Sequence, residues 1–258
     1  MNYPIGIFDS GIGGVTVLKE ILKILPNENY IYYSDSLHNP YGEKTKEEVL
    51  SYVLEIMEYF VSRNCKAVVF ACNTATALVI EDIRKKYSNL IIIGIEPAYK
   101  MAYDYQKNKK ILVMATPATI NSDKFLTLYN HYNNGNTTLL ACPKLAYLIE
   151  QGSSKNIGEY LDLLLKDYHD IDVVVLGCTH YPLIKKDITD ILGNVIFFDG
   201  GSGVAKRLMN LLNEEKFLSS SSSGNVEFYD SQNSKLNEER FYKLLKWFLL
   251  YLTWKRLF

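Results

Sequence analysis

Two stretches of the chain decide its fold: Ala67-Val68-Val69-Phe70-Ala71-Cys72-Asn73-Thr74 and Val173-Val174-Val175-Leu176-Gly177-Cys178-Thr179-His180. In each, a short apolar run rich in β-branched residues is followed by a cysteine and then by polar residues. Such runs are typical of buried strands in a parallel sheet, and these folds build their sites at the C-terminal sheet edge. The sequence therefore places Cys72 and Cys178 at two strand ends. Two thiols facing one another across a cleft suit a reaction that removes a proton from one face of a carbon and returns it to the other.

The strand ends recur with nearly the same spacing in the two halves of the chain. Asp9 ends one apolar run and Cys72 follows 63 positions later, whereas Thr116 ends another and Cys178 follows 62 positions later. Spacing alone is equally compatible with an ordinary α/β chain. A cysteine at the matching place in both halves favours an internal duplication.

We therefore predict an α/β fold with two pseudo-symmetric α/β lobes, mainly parallel sheets, and the active site in the cleft between the lobes. The predicted first lobe comprises residues 1–96 plus 207–258, the latter as a C-terminal return, and the predicted second lobe comprises residues 97–206. Segments with the apolar periodicity of a helix lie between the predicted strands, and we expect them to connect these strands. The helical patterns cover residues 15–25, 46–61, 74–87, 121–132, 157–168, 183–192 and 203–212.

Composition indicates a compact protein that acts on small molecules. The chain has 258 residues, of which 48% are hydrophobic, enough for a substantial core. Its 28 basic and 29 acidic side chains nearly cancel, so we expect no nucleic-acid partner. The N-terminus shows no secretory signal, and charged residues interrupt the apolar run 244–257, so we expect a cytoplasmic protein that does not span a membrane.

Four cysteines in such a chain favour reduced thiols over a disulfide framework. Cys65 and Cys142 have no convergent polar neighbours in the sequence, and we interpret both as inert packing residues. A zinc site built from Cys72, Cys178 and His180 is the metal alternative. It lacks the usual closely spaced pair of ligands, so we predict no metal.

The segment Asp9-Ser10-Gly11-Ile12-Gly13-Gly14 joins a strand to a helix. Its glycines depart from the dinucleotide-binding fingerprint, but a tight turn at a helix N-terminus can still hold a carboxylate through backbone N–H groups. Asp9 is suited to hold an ammonium group or to influence a thiol. The simpler interpretation is that Asp9 and Ser10 only cap the helix.

Further polar residues follow the other predicted strands. Pro40, Tyr41 and Gly42 form a turn by composition and become a wall of the site if that turn lies beside the first cysteine. His180 can orient or exchange protons with a thiol, although an isolated histidine is more often an ordinary hydrogen-bonded residue. Neutral donors suited to a small zwitterion are Asn73, Thr74, Thr76 and Thr179.

Five motifs, in order over nearly the whole chain, resemble those of the cofactor-independent aspartate/glutamate racemase family. They are Asp9-Ser10-Gly11-x-Gly13-Gly14, Pro40-Tyr41-Gly42, Cys72-Asn73-Thr74-Ala75-Thr76, Ala115-Thr116-x-x-Thr119 and Gly177-Cys178-Thr179-His180-Tyr181-Pro182. The resemblance implies a homodimeric enzyme that interconverts L- and D-glutamate without a cofactor and supplies D-glutamate for peptidoglycan synthesis. The segment 199–202 departs from the family pattern, and we assign it no catalytic role.

The resemblance also implies residue roles. Cys178 would deprotonate L-glutamate and Cys72 the D form. On chemical grounds, we expect Asp9 and His180 to relay protons to Cys72 and Cys178 respectively. The implied catalytic set is Cys72, Cys178, Asp9, His180 and Glu150. The implied substrate-binding set is Asp9, Ser10, Asp35, Pro40, Tyr41, Gly42, Asn73, Thr74, Thr76, Thr116, Thr119, Thr179 and His180. No lysine stands in a recognisable pyridoxal-phosphate context, so positioning, desolvation and electrostatics must stabilise the carbanion.

Three other functions stay open at this point. A nucleophilic-cysteine hydrolase would leave the second cysteine idle. A related enzyme acting on aspartate, hydantoins or maleate would use the same lobes with different pocket contacts. A sensing module that binds an amino acid without turning it over differs from an enzyme in showing no exchange of the substrate α-proton.

Overall fold

The protein is described here by a computed structural model that covers residues 3–105, 108–133 and 135–257, with side-chain detail to residue 246. Within these residues the chain forms nine strands. They are β1 (Ile5–Asp9), β2 (Tyr30–Ser34), β3 (Ala67–Phe70), β4 (Ile91–Gly94), β5 (Ile111–Ala115), β6 (Thr137–Ala141), β7 (Val173–Gly177), β8 (Ile196–Phe198) and β9 (Val226–Asp230).

The strands form two separate sheets in which every neighbouring pair is parallel. The first sheet has the order β4-β3-β1-β2-β9, and the second has the order β6-β5-β7-β8. Read from its other edge, the second sheet is β8-β7-β5-β6, which repeats the order of the first four strands. The predicted α/β fold with two similar parallel sheets is confirmed.

Helices cover both faces of each sheet, which explains why the central strands are apolar on both sides. The helices are α1 (Val15–Ile24), α2 (Lys46–Ser62), α3 (Asn73–Lys86), α4 (Tyr99–Tyr105), α5 (Pro117–Ile120), α6 (Asp123–Tyr132), α7 (Leu145–Gln151), α8 (Ser154–Leu165), α9 (Lys185–Leu192), α10 (Gly201–Glu214) and α11 (Lys235–Leu257). Two 3₁₀ turns, Tyr41–Glu43 and Tyr181–Ile184, follow β2 and β7. In the first sheet, α1, α10 and α11 contribute to the core on one face, and α2 and α3 to the core on the other.

Several observed helices differ at their ends from the predicted patterns, most of all α8, which spans Ser154–Leu165 where the pattern covers residues 157–168. Helix α6 begins two residues after the predicted start at 121, because the Ser122 hydroxyl accepts the Phe125 N–H and so starts the helix at Asp123. The apolar run 244–257, which the sequence suggests is a docking helix followed by a terminal strand or coil, is instead helical to Leu257 as part of α11. Among the residues described, no helix is both long and apolar enough to cross a membrane.

The C-terminal part of the chain returns to the first sheet. β9 pairs in parallel with β2, and Phe241 of α11 is buried in the same core. The predicted lobe boundary at residue 207 falls inside α10, whose buried residues Val204 and Leu208 both belong to that core. The division into lobes stays a prediction, and we propose that its second boundary lies before Gly201.

A buried ion pair fixes this return to the base of the first sheet. Glu28 and Lys66 are 2.5 Å apart, and their side chains are only 3% and 5% exposed. Lys66 Nζ also donates to the Phe217 carbonyl at 2.7 Å, and the Ser219 N–H donates to Glu28 Oε1 at 2.7 Å. The pair therefore connects β3 to the segment that leads into β9.

Glu28→Gln is expected to lower the free energy of unfolding by about 3–5 kcal/mol, because it leaves the Lys66 ammonium buried without a countercharge. Urea unfolding followed by circular dichroism measures the change. The matched control is Glu20→Gln, which breaks the exposed pair with Lys23 and should cost less than about 1 kcal/mol. Equal losses in the two variants would contradict this assignment.

Candidate active site

Residues that follow strands of both sheets line one narrow cleft. The predicted site residues in its lining are Ser10, Pro40, Tyr41, Gly42, Cys72, Asn73, Thr74, Thr116, Cys178, Thr179 and His180. The two cysteines come from equivalent strands, β3 and β7, of the duplicated order. The cleft thus brings the two thiols to one cavity from opposite lobes.

Cys72 lies at the N-terminus of α3, where its sulfur accepts the Ala75 N–H at 3.5 Å. The thiol donates to Ser10 Oγ at 3.8 Å. Burial, reinforced by the nearby Asp9 carboxylate, raises the pKa of Cys72 to about 12. Cys72 is therefore a protonated thiol at neutral pH, able to donate a proton.

Cys178 has a different partner. Its Sγ lies 3.6 Å from His180 Nδ1, and His180 Nε2 lies 2.6 Å from Glu150 Oε1. Burial alone would lower the pKa of His180, but hydrogen bonds to Cys178 and Glu150 outweigh burial and raise this pKa well above its ordinary value. An imidazolium beside the sulfur stabilises a thiolate. The two thiols thus have unequal surroundings: Cys72 contacts a backbone N–H and the Ser10 hydroxyl, whereas Cys178 contacts an imidazole.

Glu150 does not line the cleft but holds His180 from behind. Its Oε1 also accepts the Ile12 N–H at 2.8 Å, a contact between α7 of the second lobe and the glycine turn after β1. Gly11 is required in this turn because a Cβ there would stand 2.0 Å from Glu150 Oε1. The close approach of the glycine turn therefore fixes the carboxylate that supports His180.

Asp9 also lies behind the lining. It is fully buried, its Oδ1 accepts the Gly11 N–H at 2.9 Å, and its Oδ2 accepts the Thr179 hydroxyl at 2.9 Å. Burial raises the pKa of Asp9 to about 6, although the nearby His180 opposes the shift. The carboxylate connects the ends of β1 and β7 across the lobe interface.

Asp9→Asn is expected to change the pH dependence of stability. Because the pKa of Asp9 is about 6 in the folded protein and 3.8 ordinarily, its stabilising contribution is complete below pH 3.8 and is lost as pH rises through 6. Relative to the native protein, the variant should gain about 2 kcal/mol between pH 4 and pH 8. Chemical unfolding of both proteins at several pH values measures this difference, and a pH-independent difference would contradict it.

Three further predicted residues stand behind or beside the cleft. Asp35 accepts the Tyr41 hydroxyl at 2.5 Å and so orients the turn at Tyr41–Glu43. Thr119 Oγ1 accepts a hydrogen bond from Thr116 Oγ1 at 3.0 Å. Thr76 donates to the Phe70 carbonyl at 3.5 Å and does not line the cleft.

The side-chain amide of Asn73 is buried in the cleft without hydrogen-bond partners in the part of the chain that the structure describes. Its side chain lines the cleft and is part of a residue only 4% exposed, yet neither Oδ1 nor Nδ2 has a hydrogen-bond partner among the described residues. Buried amides are rarely left unsatisfied. Beside it, the Thr74 and Thr116 hydroxyls are 2.9 Å apart and join the two lobes. A small polar ligand would satisfy Asn73 here.

The lining also contains residues that sequence reasoning missed. They are Asn39, Glu43, Pro117, Cys142, Lys144, Ala146 and Tyr147. Cys142, which we interpreted as inert packing, follows β6 and donates its thiol to the Leu140 carbonyl at 3.4 Å. Burial and the neighbouring Cys178 raise its pKa to about 12, so it remains a neutral thiol. Within the described ranges, no cluster of three His, Cys, Asp or Glu side chains is arranged to hold a metal.

Comparison with known proteins points to one family. Residues 5–207 match the family described as Asp/Glu/Hydantoin racemase. The glutamate racemase of Clostridium botulinum is 43% identical over 252 residues, covering 95% of this chain and 98% of the relative. The glutamate racemase of Clostridium kluyveri is 44% identical, with coverages of 94% and 97%.

Solved structures give the same result. The crystal structure of glutamate racemase isoform RacE1 from Bacillus anthracis matches with a TM-score of 0.83 at 31% identity, covering 94% of both chains. The Francisella tularensis glutamate racemase, crystallised in complex with D-glutamate, matches with a TM-score of 0.80 at 32% identity. That match covers 96% of this chain and 94% of the other.

Proposed function

Because the chain belongs to the Asp/Glu/hydantoin racemase family, we propose that it interconverts L- and D-glutamate by proton transfer at the α-carbon. The observation that carries the proposal is the placement of Cys72 and Cys178, from equivalent strands of two duplicated sheets, in the lining of one cleft. The solved relatives are glutamate racemases, one with D-glutamate bound, and support the same substrate.

In the L-to-D direction, the Cys178 thiolate removes the α-proton and the Cys72 thiol donates a proton to the opposite face. The reverse reaction starts with a Cys72 thiolate and a Cys178 thiol. The His180 imidazolium, held by Glu150, supports the thiolate of Cys178. The high pKa of Cys72 supports the starting state in which it keeps its proton. Catalysis needs no cofactor in this scheme, because proximity and the polar surroundings stabilise the carbanion.

We further propose that the cleft binds the zwitterion through neutral donors. Asn73, with its two unpartnered polar atoms, and the Thr74 and Thr116 hydroxyls face the same cavity. The remaining predicted binding residues in the lining are Ser10, Pro40, Tyr41, Gly42, Thr179 and His180. Asp9, Asp35, Thr76, Thr119 and Glu150 are proposed as supporting residues that hold these groups in place.

The relatives suggest the biological setting. They are bacterial enzymes, and we propose that this protein acts as a homodimer in the cytoplasm and supplies D-glutamate for peptidoglycan synthesis.

The decisive experiment incubates the purified, reduced protein with L-glutamate in deuterated water without added cofactor or metal. Loss of optical activity together with deuterium at the α-carbon is the expected result. Exchange with aspartate but not with glutamate would move the assignment to the related specificity. No exchange with either amino acid would overturn the proposal and leave a binding role.

A further inference from the structure

Lys144 occupies a constrained position on the rim of the cleft. It follows β6 through Cys142 and Pro143 and precedes α7, with a left-handed backbone (φ 61°). Residues other than glycine adopt this backbone conformation at a cost in free energy. The Lys144 N–H donates to Glu43 Oε1 at 3.2 Å, a contact with the turn of the opposite lobe. Lys144 is therefore fixed where the two lobes meet above the cavity.

The Lys144 ammonium has no ion-pair partner among the side chains that the structure describes. Lys144 is solvent-exposed, and among the described residues it is the only lysine that lines the cleft. Exposed lysines commonly lack partners, so this observation alone carries nothing. The missing ion-pair partner becomes informative when the charges inside the cleft are considered.

The interior of the cleft is poor in positive charge. Asp9 and Glu150 lie behind the lining, one thiol must be a thiolate, and His180 provides the one buried cation of this network. Glutamate brings a net charge of −1 at neutral pH, because its two carboxylates outweigh its single ammonium. An anionic substrate entering this field is repelled unless a cation stands near the entrance.

We propose that Lys144 is a specificity-determining residue whose ammonium attracts an amino acid with a side-chain carboxylate into the cleft and retains it there. The inference rests on the proposed function and adds to it a group that favours an acidic over a neutral amino acid. The Glu43 contact holds the backbone of Lys144 at the edge of the cleft, from which its side chain can reach the entrance. The effect is electrostatic and acts on capture and retention of the substrate rather than on the proton transfers.

The test compares Lys144→Gln with the native protein in racemisation kinetics and in calorimetric binding of D-glutamate, each from low salt to about 0.5 M salt. We expect kcat/KM and affinity to fall about three- to tenfold at low salt, with kcat little changed. The salt dependence of kcat/KM should become shallower, a readout that a structural role would not move. Lys144→Arg should restore both quantities.

Two further variants make the result unambiguous. Lys144→Gly removes the charge but relaxes the left-handed backbone, so it should match Lys144→Gln in affinity while being no less stable. Lys155→Gln removes an exposed lysine of the same lobe, paired with Glu159 on α8, and should leave kinetics and binding unchanged.

An unchanged kcat/KM and salt slope in Lys144→Gln, with an active native protein, would overturn the role of Lys144 alone. A native protein that binds D-glutamate without racemising it would overturn the proposed function, and the binding data would still decide on Lys144. Absence of glutamate binding by the native protein would overturn both.

Discussion

Cys178→Ser is expected to abolish interconversion of the glutamate enantiomers while leaving binding of glutamate intact. A serine hydroxyl beside His180 keeps the shape of the side chain, but it is far too weak an acid to supply the anion that accepts the α-proton. We expect kcat to fall by at least about 10³-fold, within the range typical of a lost acid–base group. Polarimetry measures the rate, and calorimetry with D-glutamate checks binding.

The paired variant Cys72→Ser should lose interconversion as fully, yet the two variants should differ in isotope exchange. With Cys178 intact, Cys72→Ser can still remove and return the proton of L-glutamate on one face. It should therefore incorporate deuterium into L-glutamate without inversion, whereas Cys178→Ser should do so only with D-glutamate. Cys65→Ser, outside the cleft, is the control and should keep full turnover. Interconversion by Cys178→Ser would refute the two-base scheme.

Gly11→Ala is the second change with a large expected effect. A Cβ at this position would stand 2.0 Å from Glu150 Oε1, so the carboxylate must move. Its movement breaks the contacts with the Ile12 N–H and with His180 Nε2, and His180 loses the partner that favours its charged form. We expect kcat to fall about 10²-fold with a smaller change in KM, measured by racemisation kinetics.

The control for this prediction is another glycine. Gly158→Ala, in α8, would place a Cβ with no neighbouring heavy atom within 4 Å. Alanine is the better helix former, so this variant should keep its activity and gain up to about 1 kcal/mol of stability. A fully active Gly11→Ala would show that Glu150 does not need its present position.

The central strands, and the positions of Cys72 and Cys178 after two of them, were predictable because the signal is local. The runs ending at Phe70 and Gly177 are apolar on both faces, as buried parallel strands must be. The glycine turns and helix N-termini that follow the strands are also recognisable from short stretches of sequence. The matching cysteines then identified the duplication, which the shared strand order of the two sheets bears out.

Features that depend on distant contacts were not predictable in the same way. Glu150 meets Ile12 across 138 positions of sequence, and only the family resemblance drew attention to it. Cys142 and Lys144 follow β6, an edge strand of mixed exposure whose sequence Thr-Thr-Leu-Leu-Ala gives a weak strand signal. The internal duplication could have indicated the position of Cys142. β6 matches β2 in sheet order, so Cys142 stands where Asp35 stands in the first half, directly after its strand.

The position of β9 has a consequence for how the chain is made. The first sheet is complete only when residues 226–230 have been synthesised, although its other four strands end at Gly94. At ordinary translation speeds this interval lasts roughly 7–26 s. During that time the outer edge of β2, rich in tyrosine, has no neighbour and can pair with another chain. The second sheet is thus finished before the first, and the outer edge of β2 stays open to pairing until the last strand has been made.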